Sequence, residues 1–151
     1  EVARPYWAYV SKCISMITNS DMTIYNKYFD TATRLDKYQR TVLYGVFWDD
    51  KKAVNRLQSG LQDADEVLIV IPFSVSSNRQ YIPPKEFLRL EDKSCYYTLQ
   101  EGDRVVRGDI EFEVTGKVSE LDDLYEAFTV TSVDTKDFGS LHMRHWEVGA
   151  R

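Results

Sequence analysis

The stretch EVLIVIPF, residues 66–73, constrains the fold more than any other part of the chain. Branched and long aliphatic side chains follow one another from Val67 to Ile71, and Pro72 closes the run. A run this short and this rich in Val and Ile reads as a strand, and its lack of polar alternation predicts burial on both faces. Pro72 belongs at the strand's end, because it has no N–H to give to a ladder. The run is also far short of the ~20 apolar residues needed to cross a bilayer as a helix.

The same strand texture recurs on either side. MTIYNKYF (22–29) is rich in β-branched and aromatic residues, and the polar DTATRLD that follows is a connection. YQRTVLYGVFWDD (38–50) carries Gly45 in mid-run, which predicts a bulge or a sharp bend. KKAVNRLQSGLQDAD (51–65) is polar with scattered apolar residues and reads as a long loop, a functional suspect by length alone. The two prolines of YIPPKEFLRL exclude a helix interior and a central strand at positions 83 and 84. CYYTLQ is a further strand, and TVTSVDT and LHMRHWEV are two more, joined near KDFGS.

One helix is expected, at about 119–128. Ser119 stands where an N-cap would, and Glu120, Asp122 and Asp123 suit the positive end of the helix dipole. Leu121, Leu124, Tyr125 and Phe128 follow the i, i+3, i+4, i+7 spacing of a face laid on a sheet. Many short strands with one short helix predict a mainly all-β domain, a small β-barrel or sandwich, over residues 16–151. Residues 1–15 read as an N-terminal extension, poorly ordered, as termini often are.

GDRVVRGDIEFEV (102–114) admits three readings. Gly102 and Gly108 are six apart and lead into a strand pattern rather than a helix, so no phosphate-cradling loop is formed. Arg107-Gly108-Asp109 spells an adhesion tripeptide, but Gly-Asp is better explained as a tight turn. A β-hairpin accounts for the rest, with Val105, Ile110, Phe112 and Val114 at strand spacing and Arg104, Arg107, Glu111 and Glu113 toward water.

Chemistry is sparse. Two cysteines, Cys13 and Cys95, and two histidines offer no zinc spacing, and His142 and His145 would point to opposite faces of a strand. The pairs Asp49-Asp50 and Asp122-Asp123 have no histidine or nucleophile tied to them, so catalytic, cofactor and metal sites are all expected to be absent. A net charge of −5 disfavours general nucleic-acid binding. A β-barrel with basic and aromatic side chains for single strands is the rival reading from another class. Trp48, Trp146, Tyr96 and Tyr97 are read as core or interface anchors.

GLQDADEVLIVIPF, YIPPKEF, YTLQEGDRVVRGDIEFEV and DFGSLHMRHWEVGAR, taken in that order, resemble a family of small virion proteins of tailed bacteriophages, described as minor capsid proteins. The glycine–aspartate pattern around 102–114, followed by a histidine-containing last strand, is also similar to the head-closure (stopper) proteins of long-tailed phages. The resemblance implies a β-barrel that assembles as a ring at the neck, between head and tail, with tail completion or another minor capsid role as the alternative. It implies as partners copies of the same chain and other neck or capsid proteins. Genome DNA would pass through the ring without specific binding, and neither membrane nor small-molecule substrate is involved. The expected assembly interface is the segment carrying Asn55, Arg56, Leu57, Gln58, Leu61 and Gln62, together with Trp48, Arg144 and Trp146.

Overall fold

The computed structural model describes the backbone of residues 17–57 and 60–151, and the side chains of 17–50 and 66–151. Six strands close a barrel: β1 (Ser20–Asp30), β2 (Leu35–Leu57), β3 (Gly60–Pro72), β6 (Arg104–Arg107), β7 (Ala127–Lys136) and β8 (His145–Ala150). Their order is β1-β2-β3-β8-β7-β6, returning to β1, and every pair is antiparallel. Two-residue strands β4 (Gln80–Tyr81) and β5 (Tyr96–Tyr97) form a small parallel pair in the long connection from β3 to β6.

Closure is achieved by two strands that change partners. β2 pairs with β1 through residues 35–46 and with β3 through 47–57. β7 pairs with β6 through 127–129 and with β8 from Val130 onward. Each change falls next to a break in register, where an extra residue bends the strand. At the first, Tyr44 and Gly45 face the single residue Asp21, as the bulge expected from the sequence requires. Gly45 has φ +91°, which side-chain-bearing residues rarely adopt, and its N–H donates to Asp21 Oδ1 at 3.0 Å. At the second, a Cβ on Gly149 would come 2.6 Å from Ser132 Oγ, so the strands meet there only because that Cβ is missing.

The core lies inside the barrel. Alternate residues of β1 and β3 enter it, Met22 and Ile24 from one, Val67, Ile69 and Ile71 from the other. Leu68 and Val70 remain half-buried on the outside, so EVLIVIPF is fully covered on one face, not on both. A closed barrel turns only one face of each strand inward. Each buried Val, Ile or Leu contributes roughly 1.5–3 kcal/mol relative to leaving it exposed.

Several local expectations are corrected. The hairpin over 102–114 does not form, because β6 already has both edges occupied, by β1 and β7. Residues 109–114 instead run unpaired over the outer face of β1 and β6, where Ile110, Phe112 and Val114 join Tyr25, Val106 and Leu121 in a second apolar cluster. Their alternation was the right signal, attached to a different surface. Side chains rather than a backbone ladder hold this segment: Thr23 Oγ1 donates to Gly108 O (2.8 Å), the Ile110 N–H donates to Thr23 Oγ1 (3.0 Å), and Tyr25 OH donates to Phe112 O (2.6 Å). The turn at Gly108 is real, with φ +97°.

The helix predicted over 119–128 is α2 (Ser119–Leu124), capped by the backbone of Val118 and not by the Ser119 side chain. Only Leu121 is buried from it. Tyr125 is already extended and Phe128 lies in β7, so their spacing belonged to the strand. A further helix, α1 (Pro84–Arg89), was not expected. Pro84 occupies its first position and Pro83 its N-cap, where a missing N–H costs nothing. His142 sits in a 3₁₀ turn (Leu141–Met143), not a strand.

Candidate functional site

The segment read as a loop, 51–65, is a two-stranded ribbon. β2 runs out to Leu57, β3 returns from Gly60, and the ladder continues through Ala53↔Ala64 to Leu57↔Gly60. Beyond Asp50 and Val67 neither strand has another described partner, since β1 leaves β2 at Val46 and β8 leaves β3 at Val67. The sequence concealed this ribbon because neither strand alternates.

Asn55, Arg56, Leu57, Leu61 and Gln62 all fall on this arm by backbone position. Gln58 lies outside the described residues. Trp48 and Trp146 are inside the barrel, 3% and 6% exposed, so both are core residues and not surface anchors. Trp146 packs at a tilt against both Phe73 and Tyr81, with 4.3 Å between centroids in each case, and Trp48 meets Phe128 edge-on at 5.9 Å. Arg144 is half-buried just before β8, and its Nε is buried without a hydrogen-bond partner.

The base of the arm is well ordered by polar contacts. Asn19 stands in for a missing strand: the Trp48 N–H donates to its Oδ1 (2.8 Å) and its Nδ2 donates to Trp48 O (3.0 Å). Trp48 Nε1 donates to Asp50 Oδ1 at 2.8 Å, and Arg107 lies 3.7 Å from the other oxygen of Asp50. A shallow recess of about 200 Å³ opens beside them, lined by Trp48, Asp50, Arg107, Ile110, Tyr125 and Phe128, among others. On the far side of the base, Arg151 pairs with Glu66 at 2.9 Å.

Sequence reasoning missed the most unusual ionisable group. Asp103 is fully buried, and burial pushes its carboxyl up to about 6, although hydrogen bonds oppose the shift. It accepts from Asn26 Nδ2 (2.7 Å), from the Lys27 N–H (2.9 Å) and from Gln100 Nε2 (3.0 Å). Asn26 Nδ2 also donates to Thr98 O (2.6 Å), which ties β1 to the segment before β6. An aspartate after glycine reads as a turn residue, so only coordinates distinguish this clamp from an exposed bend. The buried Tyr25 hydroxyl is pushed up to about 12 by loss of solvent, which suits a permanent hydrogen-bond donor.

Among the described residues, the groups that hydrogen-bond the Asp103 carboxyl are all amides. Among the described residues, no three His, Cys, Asp or Glu side chains converge in a way that could hold a metal. His145 is engaged by Met143 O (2.7 Å) and Glu147 Oε1 (3.1 Å). Cys95 is exposed and has no disulfide partner among the described residues.

The model of a family of unknown function, DUF6751, matches residues 17–151. The chain belongs to that family. The match takes in the whole DUF6751 barrel, the arm and the Asp103 clamp. No curated protein and no solved structure matches the chain.

Proposed function

We propose that this DUF6751 protein is a non-enzymatic assembly component of a tailed-phage particle, a ring-forming barrel at the junction of head and tail. The supporting observation is the arm: a closed barrel has no free edges of its own, yet this one extends a ribbon whose outer edges have no partner among the described residues. A two-stranded ribbon alone is marginal in water, so its length argues for a partner that completes it. A second surface faces the other way. Phe138, Leu141 and Met143, all strongly exposed, sit in the β7–β8 connection, beyond Pro72↔His145 and so at the opposite end of β3 from the arm. Two contact surfaces at opposite ends suit a piece seated between two neighbours.

Removal of residues 52–63 tests the reading. The register leaves Ala64 and Asp65 as a two-residue connection between Lys51 and Glu66, which already face each other. The shortened chain should fold and fail to enter particles. Normal particle yield from it would reject the proposal. Tight binding of the intact protein to a labelled oligonucleotide at physiological salt would favour the nucleic-acid-binding reading instead.

A further inference from the structure

The two strands of the arm carry opposite charge. The outgoing strand, 51–57, holds Lys51, Lys52 and Arg56 and no acid, while the returning strand, 60–66, holds Asp63, Asp65 and Glu66 and no base. Each strand therefore carries charge of one sign, and among the described residues neither has a partner along its outer edge. Two copies related by a two-fold axis would lay like edge on like edge, basic on basic or acidic on acidic, which is unfavourable for charges directly opposite. Copies whose arms point the same way meet differently. The outgoing strand of one then lies beside the returning strand of the next, which is antiparallel, like every pairing in the barrel, and opposite in charge.

We propose that successive copies of this chain add arm to arm in that sense, basic edge to acidic edge, to close a β-collar by rotation. Such a collar removes the free edges in the same way as the barrel does. The proposal deepens the assembly reading by naming the partner as a second copy and the contact as backbone pairing. It rests on ring formation and not on where in a particle the ring sits.

Sedimentation of the full-length protein tests it, with three variants. Lys52→Glu with Arg56→Glu makes both strands acidic, and Asp63→Lys with Asp65→Lys makes both basic. The fourfold variant exchanges the signs and keeps the strands of each arm complementary. Wild type should form a closed oligomer that added salt weakens. Each double variant should associate roughly tenfold or more weakly, and mixing the two in equal amounts should restore assembly. The fourfold variant should assemble with itself yet stay out of wild-type oligomers in a tagged co-purification. Free mixing of the fourfold variant with wild type would overturn the proposal, as would double variants that assemble like wild type, or a wild type that stays monomeric at its highest soluble concentration while folded. If the collar forms but particles are complete without this protein, the virion reading fails and the collar stands.

Discussion

The two ends of β2 are built on different terms. At its beginning, the hairpin with β1 is held from the side by the long connection between β3 and β6. Asp103 and Thr98 grip Asn26 and Lys27, Gln39 Nε2 donates to Lys93 O (3.0 Å) and Tyr96 O (2.7 Å), and Arg79 Nη1 donates to Arg40 O (2.5 Å). Lys93 Nζ lies 5.2 Å over the Tyr28 ring. At its far end the same strand pairs, among the described residues, with β3 alone. One end is closed with buried polar groups, and the other has no second partner among the described residues. The difference teaches that a single strand can serve stability in one half and, on the reading proposed above, association in the other.

Breaking the clamp should have the largest effect. Asp103→Ala leaves the Lys27 N–H and the Asn26 and Gln100 amides short of an acceptor, and unfolding in urea should show a loss of roughly 3 kcal/mol or more. A loss under about 1 kcal/mol would mean that water readily replaces the carboxylate.

Acidity sharpens the same point. Because the folded carboxyl titrates at about 6 against an ordinary 3.8, the folded state holds the proton more tightly than the unfolded one. The associated stability is fully present below about pH 4 and lost as pH rises through 6, by up to about 3 kcal/mol. Asp30 and Asp92 are held below their ordinary range, chiefly by hydrogen bonds from Lys37 and Ser94 respectively, so they slope the other way. The quantity to measure is therefore the difference between wild type and Asp103→Asn across pH 4–7. A flat difference would refute the assignment.

These two experiments concern a residue whose role was not legible in the sequence, whereas the barrel around it largely was. EVLIVIPF, MTIYNKYF and the strands of 127–150 could be read because each has a face to bury and therefore a pattern to show. Gly45 was read correctly as a bend, since few other reasons put glycine in such a run. The arm was mistaken for a loop because Lys and Asp are poor strand formers and its apolar residues do not alternate with polar ones. Residues 110–114 showed strand alternation without strand pairing, since facing an apolar surface leaves the same imprint as facing a core. Trp48 and Trp146 announced importance as aromatics but not which side of the wall they occupy. Asp103 had nothing to distinguish it from a turn.

Smaller effects complete the contrast. Gly45→Ala forces a Cβ into a left-handed backbone conformation where β2 turns from one partner to the other, and should cost roughly 1–2 kcal/mol. Thermal unfolding at matched pH would show it, and an unchanged midpoint would mean the bulge relaxes freely. Removing 52–63 should change the stability of the monomer by no more than about 0.5 kcal/mol, because the arm adds no described pairing to the barrel. In hydrogen exchange on the monomer, arm amides should exchange far faster than those of residues 67–71, and equal protection would show that the arm is braced by the body. Lys37→Ala, at a surface ion pair with Asp30 on the clamped hairpin, should lower the unfolding midpoint only slightly.

The arm's self-contained ladder also makes it a ruler. Inserting one residue in each of its strands lengthens it by about 3.3 Å and turns its faces over, while inserting two in each lengthens it by about 6.6 Å and restores them. The barrel would not register either change. On the proposed reading, reach would then be adjustable in steps to match the spacing of neighbouring copies, without renegotiating the fold that carries it.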